Sequence, residues 1–127
     1  VRDAYHPIAY LDGGMADLMA ASDLAIARAG GTTQELAAAG LPSVLIPGLF
    51  AGGHQQANAD RLTEAGASVT LAESDLTGGE LFTIVQGLLN DESRLREMKS
   101  AAARLAKTDA AERIAEKVLE LGRGGGR

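Results

Sequence analysis

The sequence predicts an α/β fold: a parallel sheet covered by helices on both faces, followed by an all-helical last third. Three observations predict it. Short apolar runs alternate with helix-like segments as far as Leu71. Those runs are apolar along their whole length, as strands buried on both faces are, and do not alternate with polar residues. Beyond Leu71 the apolar residues recur only at helical spacing.

Ile8-Ala9-Tyr10-Leu11 reads as the first strand, Leu11-Asp12-Gly13-Gly14 as a turn, and Met15 to Ala21 as a helix. Leu24-Ala25-Ile26-Ala27 is the second strand. A Gly-rich turn from Arg28 to Glu35 then opens a helix that Gly40 stops at its C′ position, with Pro42 beyond. Val44-Leu45-Ile46 is the third strand, closed by Pro47-Gly48. The Gly48–Gly53 loop leads into a helix from about His54 to Ala65, ended by Gly66, and Ser68-Val69-Thr70-Leu71 is the fourth strand. A βαβαβαβ order calls for a parallel sheet.

In the last third, Thr77-Gly78-Gly79-Glu80 has the form of a capping box. Leu81, Ile84, Val85, Leu88 and Leu89 then form one buried stripe. Asn90-Asp91 breaks that helix and caps the next, whose inner face is Leu95, Met98, Ala102 and Leu105. Asp109-Ala110-Ala111-Glu112 opens a final helix with Ile114, Val118 and Leu121 on one face. The expected domain covers residues 1–121, with 122–127 as a flexible tail.

A chain of 127 residues is one domain's worth. Aromatic content of 3% means the core is built from Ala, Leu, Ile and Val. With no cysteine there is neither a disulfide framework nor a thiolate metal site, and His6 and His54 alone are too few for zinc. Net charge of −5 argues against a nucleic-acid partner. Residues 91–127 nevertheless carry a net +2, against −7 for residues 1–90. That basic end suits either an anionic membrane surface or a solvated helix face. No stretch reaches the roughly 20 apolar residues that span a bilayer. Val1 to Tyr5 lacks the marks of a signal peptide, and the start without methionine suggests an upstream part.

Two loops fall at the C-terminal ends of the strands, where open parallel sheets bind ligands. In the first, Gly30 and Gly31 allow a tight turn and close approach of backbone to ligand. They lie before a helix whose free N–H groups suit a phosphate, with Thr32 or Thr33 adding a hydroxyl. Glu35 can accept hydrogen bonds from a ribose. Thr32 and Glu35 equally have capping-box spacing, which by itself explains both. Arg28 can face a diphosphate or pair with a nearby carboxylate.

In the second loop, Gln55, Gln56 and Asn58 supply amides, and His54 an imidazole, suited to sugar hydroxyls. An exposed polar helix start is the competing reading. His54 by itself carries no catalytic assignment, and Asp12 belongs first to its turn. Nothing matches a G-x-S-x-G elbow, a Walker loop or H-E-x-x-H.

Taken in order, these segments resemble the MurG family of bacterial cell-wall glycosyltransferases. The resemblance rests on Tyr10-Leu11-Asp12-Gly13-Gly14-Met15, Asp23 to Glu35, Ala37-Ala38-Ala39-Gly40-Leu41-Pro42-Ser43 and His54-Gln55-x-x-Asn58-Ala59. Glu64 to Ala67 and Asp109 to Ile114 extend it. It implies the Rossmann-like, donor-binding C-terminal domain of a GT-B enzyme that binds UDP-N-acetylglucosamine. Leu11 would meet the uracil, Gly30 to Thr33 the diphosphate, Glu35 the ribose and Gln55 the sugar; Arg28 and Asn58, read from their place in the two loops, join the expected UDP-N-acetylglucosamine-binding residues.

The implied chemistry is an inverting, metal-independent and cofactor-free transfer of GlcNAc onto lipid I, giving lipid II, on the inner face of the bacterial plasma membrane. The chain is one residue short of the family pattern between Arg28 and Glu35, so either Thr32 or Thr33 takes the threonine's place. It is one residue longer near Asp12 and one shorter before His54. The acceptor- and membrane-binding N-terminal domain and the candidate catalytic base fall outside the sequence, so no catalytic residue is assigned and the chain alone is expected to be inactive. Another GT-B transferase with a glycolipid-type acceptor, or a non-catalytic nucleotide-sugar-binding module, fits the same loops.

Overall fold

The computed structural model describes residues 4–49 and 53–124. Its sheet holds three parallel strands, β1 (Ala25–Ala27), β2 (Ser43–Leu45) and β3 (Ser68–Thr70), in the order β1-β2-β3. Ile26 lies beside Val44, and Val44 beside Val69. The helices are α1 (Met15–Ala20), α2 (Thr32–Ala38), α3 (His54–Glu64), α4 (Gly78–Leu89), α5 (Glu92–Leu105) and α6 (Ala110–Gly124), with a 3-10 turn at Glu73–Asp75.

The first of the four expected strands, at Ile8 to Leu11, does not form. Tyr10 is 83% exposed, Ile8 is also largely exposed, and among the described residues β1 pairs only with β2. An apolar run becomes a strand only where a neighbouring backbone takes up its N–H and C=O groups. Among the described residues this one has no such neighbour.

β2 is buried throughout and divides the core. Leu45 packs with Leu36 of α2, Ala59 and Leu62 of α3, and Ala101 and Ala102 of α5. Val44 and Ile46 pack on the other side with Leu88 of α4 and Met98 of α5, flanked by Leu81, Ile84, Val85 and Leu95. Alternate residues of one strand therefore serve opposite faces, which is the helix-covered sheet that the apolar runs predict.

Helices α2 and α3 end alike. Gly40 and Gly66 take φ of 62° and 82°, Leu41 N–H bonds the Leu36 carbonyl at 2.9 Å, and Ala67 N–H bonds that of Leu62 at 2.8 Å. These are Schellman ends, which need glycine at the left-handed position and turn the chain directly into β2 and β3. Thr77 caps α4 by accepting from Glu80 N–H at 3.1 Å, and Asp91 caps α5 by accepting from Arg94 N–H at 2.9 Å.

The helical stripes are narrower than their spacing suggests. Leu89 is exposed, and on α6 Ile114, Val118 and Leu121 all face solvent, Val118 being 62% exposed. Helix α6 runs to Gly124, into the stretch read from the sequence as tail. No helix among the described residues is long and apolar enough to cross a membrane.

Candidate functional site

The loops that follow β1 and β2 come together at one end of the sheet. β1 runs out into Arg28, Ala29 and Gly30; β2 runs out into Ile46, Pro47, Gly48 and Leu49. Side chains tie the two loops to each other and to α3. The Asn58 amide donates to the Ala29 carbonyl at 2.9 Å, and Gly48 N–H donates to Gln55 Oε1 at 2.7 Å. Asn58 and Gln55, on the first turns of α3, therefore hold one loop each.

The glycine loop is built differently from the expectation. Neither Gly30 nor Gly31 takes a left-handed φ, and Gly31 at φ −57° is already helical. What glycine provides here is room: a Cβ on either residue would meet nothing within 4 Å. The loop's own hydrogen bonds run from Gly30 N–H to the Arg28 carbonyl at 2.9 Å and from Thr33 N–H to that of Gly30 at 3.2 Å. Gly31 and Thr32 N–H have no partner among the described residues.

The capping box of Thr32 and Glu35 is absent. Gly31 occupies the cap position, no side chain caps α2, and Thr32 is already inside the helix. Spacing could not reveal this, because a shift of one residue in the helix start removes the box. The two threonines also separate. Thr33 is 1% exposed and donates its hydroxyl to the Gly30 carbonyl at 2.8 Å, whereas Thr32 is exposed. Glu35 is exposed as well, and its side chain makes no hydrogen bond among the described residues.

Arg28 pairs with Glu73, Nη2 to Oε1, which is the carboxylate alternative. The other oxygen of Glu73 accepts from Leu49 N–H at 3.1 Å. The Arg28 hydrogen bond, and then that of Leu49, hold the Glu73 carboxyl below the usual carboxylate range. Glu73 was missed in the sequence because it follows β3, remote from both motifs, and nothing in its spacing links it to them.

Glu35 edges a groove of about 290 Å³ between α1 and α2, whose apolar wall is made by Met15, Met19, Ala20 and Ala39. Met15 and Thr32 also line a second groove, of about 300 Å³, along the free edge of β1 with Leu18, Ile26 and Leu36. Leu11 is half-buried in the irregular segment before α1. Gln56 turns away to Asp60 at 2.7 Å, and His54 is exposed. Phe50, Ala51 and Gly52 of the second loop lie outside the described residues.

A parallel sheet with polar and glycine-bearing loops gathered at the C-terminal strand ends defines a ligand-binding α/β domain of the open-sheet class. Residues 2–114 match the family described as the glycosyltransferase family 28 C-terminal domain, and the chain belongs to that family.

Curated relatives named UDP-N-acetylglucosamine--N-acetylmuramyl-(pentapeptide) pyrophosphoryl-undecaprenol N-acetylglucosamine transferase are similar to it. The protein of Methylococcus capsulatus is 50% identical over 78% of this chain and 28% of its own length. That of Mycolicibacterium paratuberculosis is 40% identical over 94% of this chain and 29% of its own. The crystal structure of MurG from Acinetobacter baumannii superposes with a TM-score of 0.80 at 30% identity, over 89% of this chain and 33% of that one. The chain thus spans about a third of the length of these proteins.

Proposed function

We propose that the chain binds UDP-N-acetylglucosamine as the donor half of a longer transferase, which moves N-acetylglucosamine onto lipid I to give lipid II in peptidoglycan synthesis. The observation that carries this reading is the tying of the glycine loop to α3 by Asn58 and Ala29, which puts phosphate-type and sugar-type groups at one sheet end. The names of the relatives supply the donor and the acceptor class.

In this reading Gly31 and Thr32 N–H, the Thr32 hydroxyl and the Arg28 guanidinium meet the diphosphate. The bare Cα atoms of Gly30 and Gly31 let it approach. Thr33 acts from below, holding the loop through Gly30. Glu35 accepts from the ribose hydroxyls, and Leu11 packs on the uracil. Gln55 has its oxygen on Gly48 and so offers its amide N–H groups to the sugar; Asn58 has its N–H on Ala29 and so offers its oxygen. As the sugar leaves, charge grows on the diphosphate, and preorganised N–H groups with Arg28 oppose it without reorganising.

The acceptor lipid and the inner face of the plasma membrane are met by the remainder of such a parent, which would act as a peripheral membrane enzyme. The present chain is expected to bind donor without transferring it. Titration of UDP-N-acetylglucosamine into the wild-type chain and Glu35→Ala tests the reading: saturable binding weakened by the substitution supports it, and equal binding by both removes the ribose role. Robust transfer to lipid I by the purified chain would refute its assignment as a donor half alone.

A further inference from the structure

Glu73 lies outside both sequence motifs, yet their loops converge on it. Its two carboxylate oxygens are divided between the loops, one taking the Arg28 guanidinium after β1 and the other the Leu49 N–H after β2. Gly48 sits between them. A Cβ there would come within 3.1 Å of both Arg28 Nη2 and Gln55 Oε1, so the two side chains close over bare backbone. Arg28, Gln55 and Glu73 thus form one clasp around Gly48-Leu49.

We infer that Glu73 is the positioning residue of this site, holding Arg28 for an anionic diphosphate and holding the backbone to which Gln55 is anchored. The inference rests on the donor-binding reading above. Glu73 occupies one Nη2 donor of a guanidinium that has five N–H donors in a planar fork. The Arg28 side chain remains 52% exposed, so the fork is oriented without being used up. Once released, the long Arg28 side chain would have to be ordered by the ligand itself, at a cost in rotamer freedom. Glu73 touches no ligand in this scheme and acts only through Arg28, Leu49 and Gly48.

The test is an NMR titration of UDP-N-acetylglucosamine, UDP and uridine into the wild-type chain, Glu73→Gln and Glu73→Ala, with a melting curve for each. Glu73→Ala is expected to weaken both diphosphate ligands about tenfold, the usual scale for losing a hydrogen bond to a charged group. Glu73→Gln retains an acceptor for Leu49 N–H and is expected to lose less. Uridine, which has no phosphate, is expected to bind all three alike.

Equal loss for all three ligands would mean general damage to the fold and would overturn the inference. Unchanged or tighter diphosphate binding would overturn it too, the latter by making Glu73 a competitor for Arg28. If Glu73→Ala does not fold, Glu73→Gln carries the same comparison. Wild-type binding that neither variant alters sinks this inference alone, whereas no binding by the wild-type chain sinks the donor reading and this inference together.

Discussion

The Asn58 side-chain amide donates to the Ala29 carbonyl at 2.9 Å, joining positions 29 residues apart across two strand ends. Ala29 is fully buried, so its carbonyl depends on this partner more than a solvated group would. Asn58→Ala is expected to cost about 1–2 kcal/mol in urea unfolding. Asn58→Asp is expected to cost more, because a carboxylate would then face a carbonyl with no proton between them. An Asp variant more stable than the Ala variant would show that the contact does not hold the loop.

Glu35 separates stability from binding. With no capping box formed and the side chain exposed, Glu35→Gln is expected to change unfolding free energy by no more than about 0.5 kcal/mol. Donor binding is expected to weaken in the same variant. A fall in stability on the scale of a lost cap, about 1 kcal/mol, would mean that the carboxylate serves the helix after all.

Acid should open the clasp. The folded-state pKa of Glu73 is lowered, first by the Arg28 hydrogen bond and then by Leu49 N–H. A lowered carboxyl contributes fully above its unfolded value and loses that contribution as pH falls through the folded one. The Leu49 and Gly48 amide signals are therefore expected to stay constant through neutral pH and to shift together only below the ordinary carboxylate range. In Glu73→Gln that shift should vanish; its persistence would assign it to another group.

Ser43 offers a gain. Its hydroxyl is fully buried in β2 and has no hydrogen-bond partner among the described residues. Removing an unpaired buried hydroxyl relieves a desolvation cost, so Ser43→Ala is expected to be neutral or to stabilise by up to about 1 kcal/mol. Thermal melting of the two proteins decides, and a clear loss would reveal a partner for the hydroxyl.

Helix α6 supplies the opposite case. Val118→Lys on its exposed apolar face is expected to alter stability by less than about 0.5 kcal/mol. Leu45→Ala, in the middle of the core, should cost roughly 2–5 kcal/mol by leaving a cavity. Urea midpoints of the two variants make the comparison, and similar losses would place α6 against the core.

The amino-acid sequence by itself determined the elements between Met15 and Leu105, because their signals are local. Glycine at Gly40 and Gly66 stops a helix through its own backbone freedom, Asp91 and Thr77 cap the helices that follow them, and uniformly apolar runs mark strands covered on both faces. It also drew attention to the two loops whose residues meet at one sheet end. Only the tertiary structure decided what depends on a partner: that among the described residues Ile8 to Leu11 has no strand beside it and Val118 stays exposed, and that helix α2 starts one residue too early for a Thr32–Glu35 box. The same holds for Arg28. Its carboxylate lies 45 residues away, and only the fold that brings the ends of β1 and β2 beside the turn after β3 could name it as Glu73.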